Sequence, residues 1–254
     1  MTEGQKNEDY VVGIDEAGRG PVIGPMVYGI AGIPVSKQHL LKTAGANDSK
    51  QLTDADRRNI FEKLKKIEGF YYAFVSVDAI QISEEMQAIN RTSLNQIAFN
   101  AARSLLENCP YKIQHAYIDL ISPAEQYRNF IQQSPRLVDL KMTIEAKADA
   151  NYPVTGAASI VAKVTRDNAI KPEWGSGYPS DPHTKTYIGS ASDPIFGFKE
   201  RNVRFSWSTC QKIMEEKCKK CEWQVQRDVD GISQHQQNSG LFQKMGFKQL
   251  VPKK

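Results

Sequence analysis

YVVGIDEAGRGPVIGPMVYGIAGI, residues 10 to 33, holds two short apolar runs parted by a stretch punctuated with glycine and proline. Tyr10 to Ile14 leads into Asp15, Met26 to Ile33 follows, and Gly18, Gly20, Pro21, Gly24 and Pro25 break the chain between them. Short apolar runs bounded by such residues read as strand, loop and strand. Downstream, Thr53 and Asp56 make an approximate capping box, Ile60, Phe61, Leu64 and Ile67 fall on one helical face, and Gly69 stops that helix. Phe70 to Val77 is aromatic and β-branched, which predicts a strand, whereas Leu94, Ile97, Ala98, Ala101 and Leu105 return to helical spacing before Pro110. Ile113 to Leu120 and Leu137 to Ile144 read as two more strands with a short helical segment between them. From Pro153, the residues Val154, Ala157, Ala158, Val161 and Val164 mark a helix that packs closely through small side chains. Strands first in succession and then alternating with helices predict an α/β domain with a mixed β-sheet flanked by helices.

A chain of 254 residues can bury one sizeable core with an appendage. No run of about 18 apolar residues offers a membrane span, so no membrane partner is expected. The polar, acidic start from Met1 to Tyr10 lacks the pattern of a secretory signal, and the expected setting is intracellular and reducing, nuclear or cytoplasmic. Cys109, Cys210, Cys218 and Cys221 are too few for a disulfide framework. Cys218-Lys-Lys-Cys221 has metal-ligand spacing but lacks a second pair, so it reads as ordinary thiols on a basic helix and no zinc is expected. The net charge of +4 suits a polyanionic partner without demanding one. After Trp207 the composition turns lysine-rich and then glutamine-rich, which divides the chain into a domain over 1–207 and a C-terminal helical extension and tail over 208–254. The closing apolar residues Leu241, Phe242, Met245, Phe247, Leu250 and Val251 suit either the core or docking on another chain.

The predicted strand ends deliver Asp15 with Glu16, then Asp119, then Asp149. Ligands of open α/β sheets bind in the crevice at the carboxyl ends of the strands, where these acids would converge. Any one of them alone reads as a solvated loop residue or a helix cap. Together they would repel one another unless a cation intervened, and oxygen ligands suit magnesium or manganese. Two such ions can activate a water and stabilise the leaving oxygen of a phosphodiester. The Gly18-Arg19-Gly20 turn behind Asp15 allows close backbone approach to a phosphate or sugar hydroxyl, and Arg19 adds a forked donor.

The stretch GIDEAGRGPVIGP from Gly13 to Pro25 resembles the opening active-site motif of the type 2 ribonucleases H. The likeness continues in order through Asp48-Ser-Lys50, Tyr117-Ile-Asp119, Ala146-Lys-Ala-Asp149 with Ala157 to Lys163, and Gly175 to Pro179. Gly24 to Tyr28 and Arg204 to Trp207 are similar to the family's eukaryotic catalytic chain in particular. The resemblance implies a ribonuclease H-like fold and two divalent metal ions, Mg2+ or Mn2+. Asp15 would bridge both ions, Asp149 would help hold the one that activates water, and Glu16 and Asp119 would favour the leaving-group side. The implied substrates are RNA/DNA hybrids and duplex DNA bearing single ribonucleotides, cut to leave 3′-hydroxyl and 5′-phosphate ends. It further implies that the backbone of Gly18, Arg19 and Gly20 contacts the 2′-hydroxyl and that Tyr178 stacks on the next deoxyribose. Lys50 and Lys163 are candidates for phosphate contact, and Ser93 stands where the eukaryotic pattern prefers an asparagine. Eukaryotic relatives work within a heterotrimer, so accessory subunits are implied as partners.

Two other readings remain open on these residues. One is a related hybrid nuclease needing several ribonucleotides, against which Gly18 to Gly20 with Tyr178 argue. The other is a non-catalytic nucleic-acid-binding chain, against which the presence of all four acids argues.

Overall fold

In the computed structural model, which describes residues 8–46 and 52–220, the two opening runs pair as antiparallel strands β1 (Asp9–Ala17) and β2 (Met26–Pro34). β1 does not stop at Ile14. Its ladder with β2 continues to Ala17 opposite Val27, which places Asp15 and Glu16 inside the strand, opposite Gly29 and Tyr28. The ladder pairs main-chain N–H and C=O groups, so it runs on past Ile14 whichever side chains the strand carries.

After α1 (His39–Ala44), Thr53 caps α2 (Asp54–Lys65) with the reciprocal Asp56 bond that the sequence predicts. The chain then turns through Gly69, at φ 84°, into β3 (Tyr71–Val77). Helices α3 (Ala79–Gln87) and α4 (Leu94–Glu107) precede β4 (Lys112–Asp119) and α5 (Ala124–Gln132). β5 (Met142–Glu145) is shorter than predicted. Leu137 and Leu140 donate backbone bonds three residues back, to Ser134 and Leu137, so their apolar side chains belong to a turn. Asp149 is therefore not at a strand end: it lies on a one-turn helix, α6 (Ala148–Asn151), just before α7 (Pro153–Ala169). The chain continues through α8 (Pro182–Ala191), a small hairpin of β6 (Ser192–Asp193) and β7 (Gly197–Phe198), and α9 (Ser208–Lys217).

The described residues divide into two compact units. The first takes those within Met1–Arg19, Pro25–Val77 and Leu94–Ala169. Its five-stranded sheet has the order β3-β2-β1-β4-β5, with β1, β4 and β5 parallel and β2 antiparallel to both β1 and β3. Val11, Ala31 and Ile33 on one face pack with Leu41, Ile60, Leu64, Val154 and Ala158 of α1, α2 and α7. Strand alternation sends Val12, Ile14 and Tyr28 to the opposite face, where α4 meets both β2 and α5. α7 presses close to the sheet because glycine lies beneath it. A Cβ on Gly13 would come 2.4 Å from Thr155 N, and one on Gly29 would come 2.6 Å from Ala158 O.

The second unit takes the described residues within Gly20–Gly24, Asp78–Ser93 and Ile170–Lys254. Val22, Ile23, Ile188, Phe198, Val203 and Phe205 share one apolar cluster with Cys210 and Met214 of α9. The compositional boundary at Trp207 thus runs through this unit. Cys218 caps α9, its thiol directed to Asp193 O, whereas Cys221, Lys50, the glutamine-rich tail and the apolar end from Leu241 lie outside the described residues.

Candidate active site

Parallel pairing of β1 with β4 sets Ile14 beside Ile118, so the next residues, Asp15 and Asp119, emerge together at one end of the sheet. Each of Asp15, Glu16 and Asp119 offers a carboxylate oxygen within 4.8 Å of the other two. Asp15 points to the α7 face and accepts hydrogen bonds from the Ser159 hydroxyl and, at 2.8 Å, from the Glu16 backbone N–H. Asp119 accepts at 2.9 Å from the backbone N–H of Ala148. Asp149 is buried and stands outside the three-acid group, although its charge acts on Asp15.

Burial and the neighbouring charges of Asp119 and Asp149 push the Asp15 carboxyl up to about 7, against the opposing bonds from Ser159 and Glu16 N–H. A buried carboxylate that like charges disfavour is relieved by a cation. The oxygen-only donor set, together with an acid that resists ionising alone, fits a hard divalent ion such as Mg2+ or Mn2+. Asp15, Glu16 and Asp119 could hold such an ion.

The loop after β1 departs in one respect from expectation. Arg19 does not present its guanidinium as a free fork for phosphate, because it is half-buried and donates to Asn95 Oδ1 of α4. Gly18 takes φ 78°, and a Cβ there would meet Pro25 O at 2.6 Å and the Arg166 side chain at 2.7 Å. Only glycine allows both the turn and that approach. Lys163 lies one turn beyond Ser159 on the same side of α7, half-buried.

In the second unit, the segment after Arg19 is gripped by backbone. Val22 N–H donates to Gly177 O at 2.8 Å, and Gly24 N–H to Asn202 O at 2.8 Å. Buried Arg204 donates to Gly24 O at 2.9 Å, and Trp207 Nε1 donates to Gly20 O at 3.1 Å. One edge of the Tyr178 ring comes up beside Gly20, where a Cβ would stand 3.5 Å from its Cε1. It remains 43% exposed, which leaves its outer surface open to stack on a sugar or base. Ser93 is exposed just before α4.

Several supporting residues come to light only in the structure. Asn95 and Ser159 are each one of several polar positions on their helices, singled out only once the helices are docked. Tyr28 and Tyr127 are fully buried beside the acids. Asp181 accepts from Ser176 N–H at 2.6 Å and from its hydroxyl at 2.8 Å, and so braces the turn leading to Tyr178. His183 lies in the first turn of α8 and donates its backbone N–H to Asp181.

The family model described as Ribonuclease HII matches residues 12–210. A ribonuclease H2 subunit of Arabidopsis thaliana is 35% identical over 265 residues, covering 98% of this chain and 88% of that protein. Its namesake from Rattus norvegicus is 37% identical over 243 residues, covering 88% and 80%. The crystal structure of the ribonuclease H2 from Pyrococcus horikoshii superposes with a TM-score of 0.72 at 36% identity, over 82% of this chain and 98% of that one.

Proposed function

The chain belongs to the ribonuclease HII family, and from that premise we propose that it incises duplex DNA 5′ of a single embedded ribonucleotide as well as cutting hybrids. It is a ribonuclease H, hydrolysing the RNA strand of RNA/DNA hybrids. The observation that carries the finer reading is the edge of the Tyr178 ring beside Gly20, at the end of the Gly18-Arg19-Gly20 turn that follows the acids directly in the sequence. A glycine backbone that can meet one 2′-hydroxyl, with an aromatic surface for the next sugar, needs only one ribonucleotide to recognise.

In this reading Asp15, Glu16, Asp119 and Asp149 together hold two divalent ions. When bound, such ions supply Lewis acidity at the phosphodiester and lower the pKa of water. The chain's own residues orient the donors: Ser159 and the Glu16 N–H aim Asp15, and Asp119 anchors the α6 turn that carries Asp149. Lys50 and Lys163 neutralise substrate phosphates, and Ser93 adds a hydroxyl donor. The products carry 3′-hydroxyl and 5′-phosphate ends, and the cellular role is removal of ribonucleotides from DNA. As the relatives are each named as one subunit of ribonuclease H2, we place docking of accessory subunits on the stretch from Ser208 onward. Leu241→Ser with Phe242→Ser should weaken that assembly, and unchanged co-purification would overturn it.

The test incubates the purified chain with Mg2+ and a DNA duplex bearing one ribonucleotide, beside an all-RNA/DNA hybrid and an Asp149→Asn control. Cleavage 5′ of the ribonucleotide, lost in the variant, is the expected result. Cleavage of the hybrid alone would replace the reading with a nuclease needing several ribonucleotides.

A further inference from the structure

Tyr28 and Tyr127 are each completely buried, and neither hydroxyl has a hydrogen-bond partner among the described residues. Filling a core needs only phenylalanine, and an unmet buried O–H is costly. These two hydroxyls therefore call for an acceptor, and their surroundings offer one. Tyr28 stands directly opposite Glu16 across β1 and β2. Tyr127 comes from α5, its ring stacked on Phe99 with centroids 4.4 Å apart and planes 15° from parallel. Glu16 acts electrostatically on both phenols, as do Asp15 and Arg19. A phenol keeps its proton at neutral pH, so both hydroxyls are donors.

Glu16 gives one oxygen to the three-acid group, and a carboxylate has about four lone-pair sites to fill. We propose that Tyr28 and Tyr127 are positioning residues that donate hydrogen bonds to Glu16 through a bridging water, and so hold its carboxylate for the cation. This rests on the reading of Asp15, Glu16 and Asp119 as a cation site. Paired donors from two different elements, a strand and a helix, restrict the carboxylate's rotation, so that it waits in the geometry the ion needs.

Tyr28→Phe, Tyr127→Phe and the double variant test this, with Mn2+ alone as the probe in titration calorimetry. Each single variant should bind Mn2+ about tenfold more weakly, while its thermal midpoint without divalent ions stays at or above wild type. Equal Mn2+ affinity in wild type and all three variants would overturn the inference and leave the cation reading standing. Lower cation-free midpoints with unchanged affinity would likewise overturn it, marking the tyrosines as packing. If wild type itself took up no Mn2+, the cation reading would fall, and this inference with it.

Discussion

The backbone N–H of Ala148 donates to Asp119 Oδ1 at 2.9 Å, so the acid that ends β4 also ties down the turn bearing Asp149. Asp119→Asn keeps an oxygen for that bond and loses the charge, whereas Asp119→Ala loses both. Both should abolish cleavage. In denaturant unfolding without divalent ions, the Asn variant should match or exceed wild type, because a like charge beside Asp15 is gone. The Ala variant should fall below the Asn variant by about 1–2 kcal/mol. Coincident curves for the two would show that the anchor contributes nothing.

The raised carboxyl of Asp15 makes cation-free stability fall with pH. Its folded value of about 7 lies above the ordinary unfolded value of about 3.9. The native chain therefore binds the extra proton, and this contribution is complete below pH of about 4 and lost as pH rises through about 7. Thermal midpoints measured from pH 5 to pH 8 should decline more steeply in wild type than in Asp15→Asn, and Mn2+ should remove the difference. Parallel slopes for the two proteins would contradict the burial argument.

Asp181 collects four donors: Ser176 N–H and hydroxyl, His183 N–H and the Thr184 hydroxyl at 3.2 Å. These bonds hold its carboxyl down at about 2, so the brace persists at every pH above about 4 and is lost only as pH falls through about 2. Asp181→Ala should slacken the turn that presents Tyr178. Steady-state kinetics on the single-ribonucleotide duplex should show KM raised about tenfold with kcat nearly unchanged. A loss confined to kcat would remove Tyr178 from substrate contact.

The strands and the capping box of α2 were legible because each is a local pattern: alternation, apolar spacing, or a polar residue three positions from its partner. Asp15, Glu16 and Asp119 were legible as a group, because several acids that follow apolar runs converge where strands end, whereas any one alone reads as a solvated residue or a cap. β5 misled because Leu137 reaches the core, and Leu140 is half-buried, from an otherwise exposed turn, which periodicity does not distinguish from a strand. α8 carried a usable signal, Asp181 as N-cap with Pro182 at the first turn, masked by a weakly apolar sequence after it. Asn95, Ser159 and the two buried tyrosines depend on which helix packs over which strand, and no single segment records that.

Gly13 and Gly20, seven positions apart in one motif, should separate folding from recognition. A Cβ on Gly13 would lie 2.4 Å from Thr155 N and equally close to the Val154 carbonyl, backbone atoms that cannot swing aside. Gly13→Ala must therefore push α7 off β1, at a cost of about 1–3 kcal/mol or more. The same displacement carries Ser159 away from Asp15, so activity should fall further than the lost stability alone explains. Gly20 is different: a Cβ there meets only Tyr178 Cε1 at 3.5 Å, an ordinary contact, and its φ is not in the left-handed region. Gly20→Ala should melt with wild type and keep its Mn2+ affinity, yet lose cleavage of the single-ribonucleotide duplex because the methyl group stands where the sugar must approach. Wild-type cleavage by Gly20→Ala would mean that the substrate does not come close to this backbone.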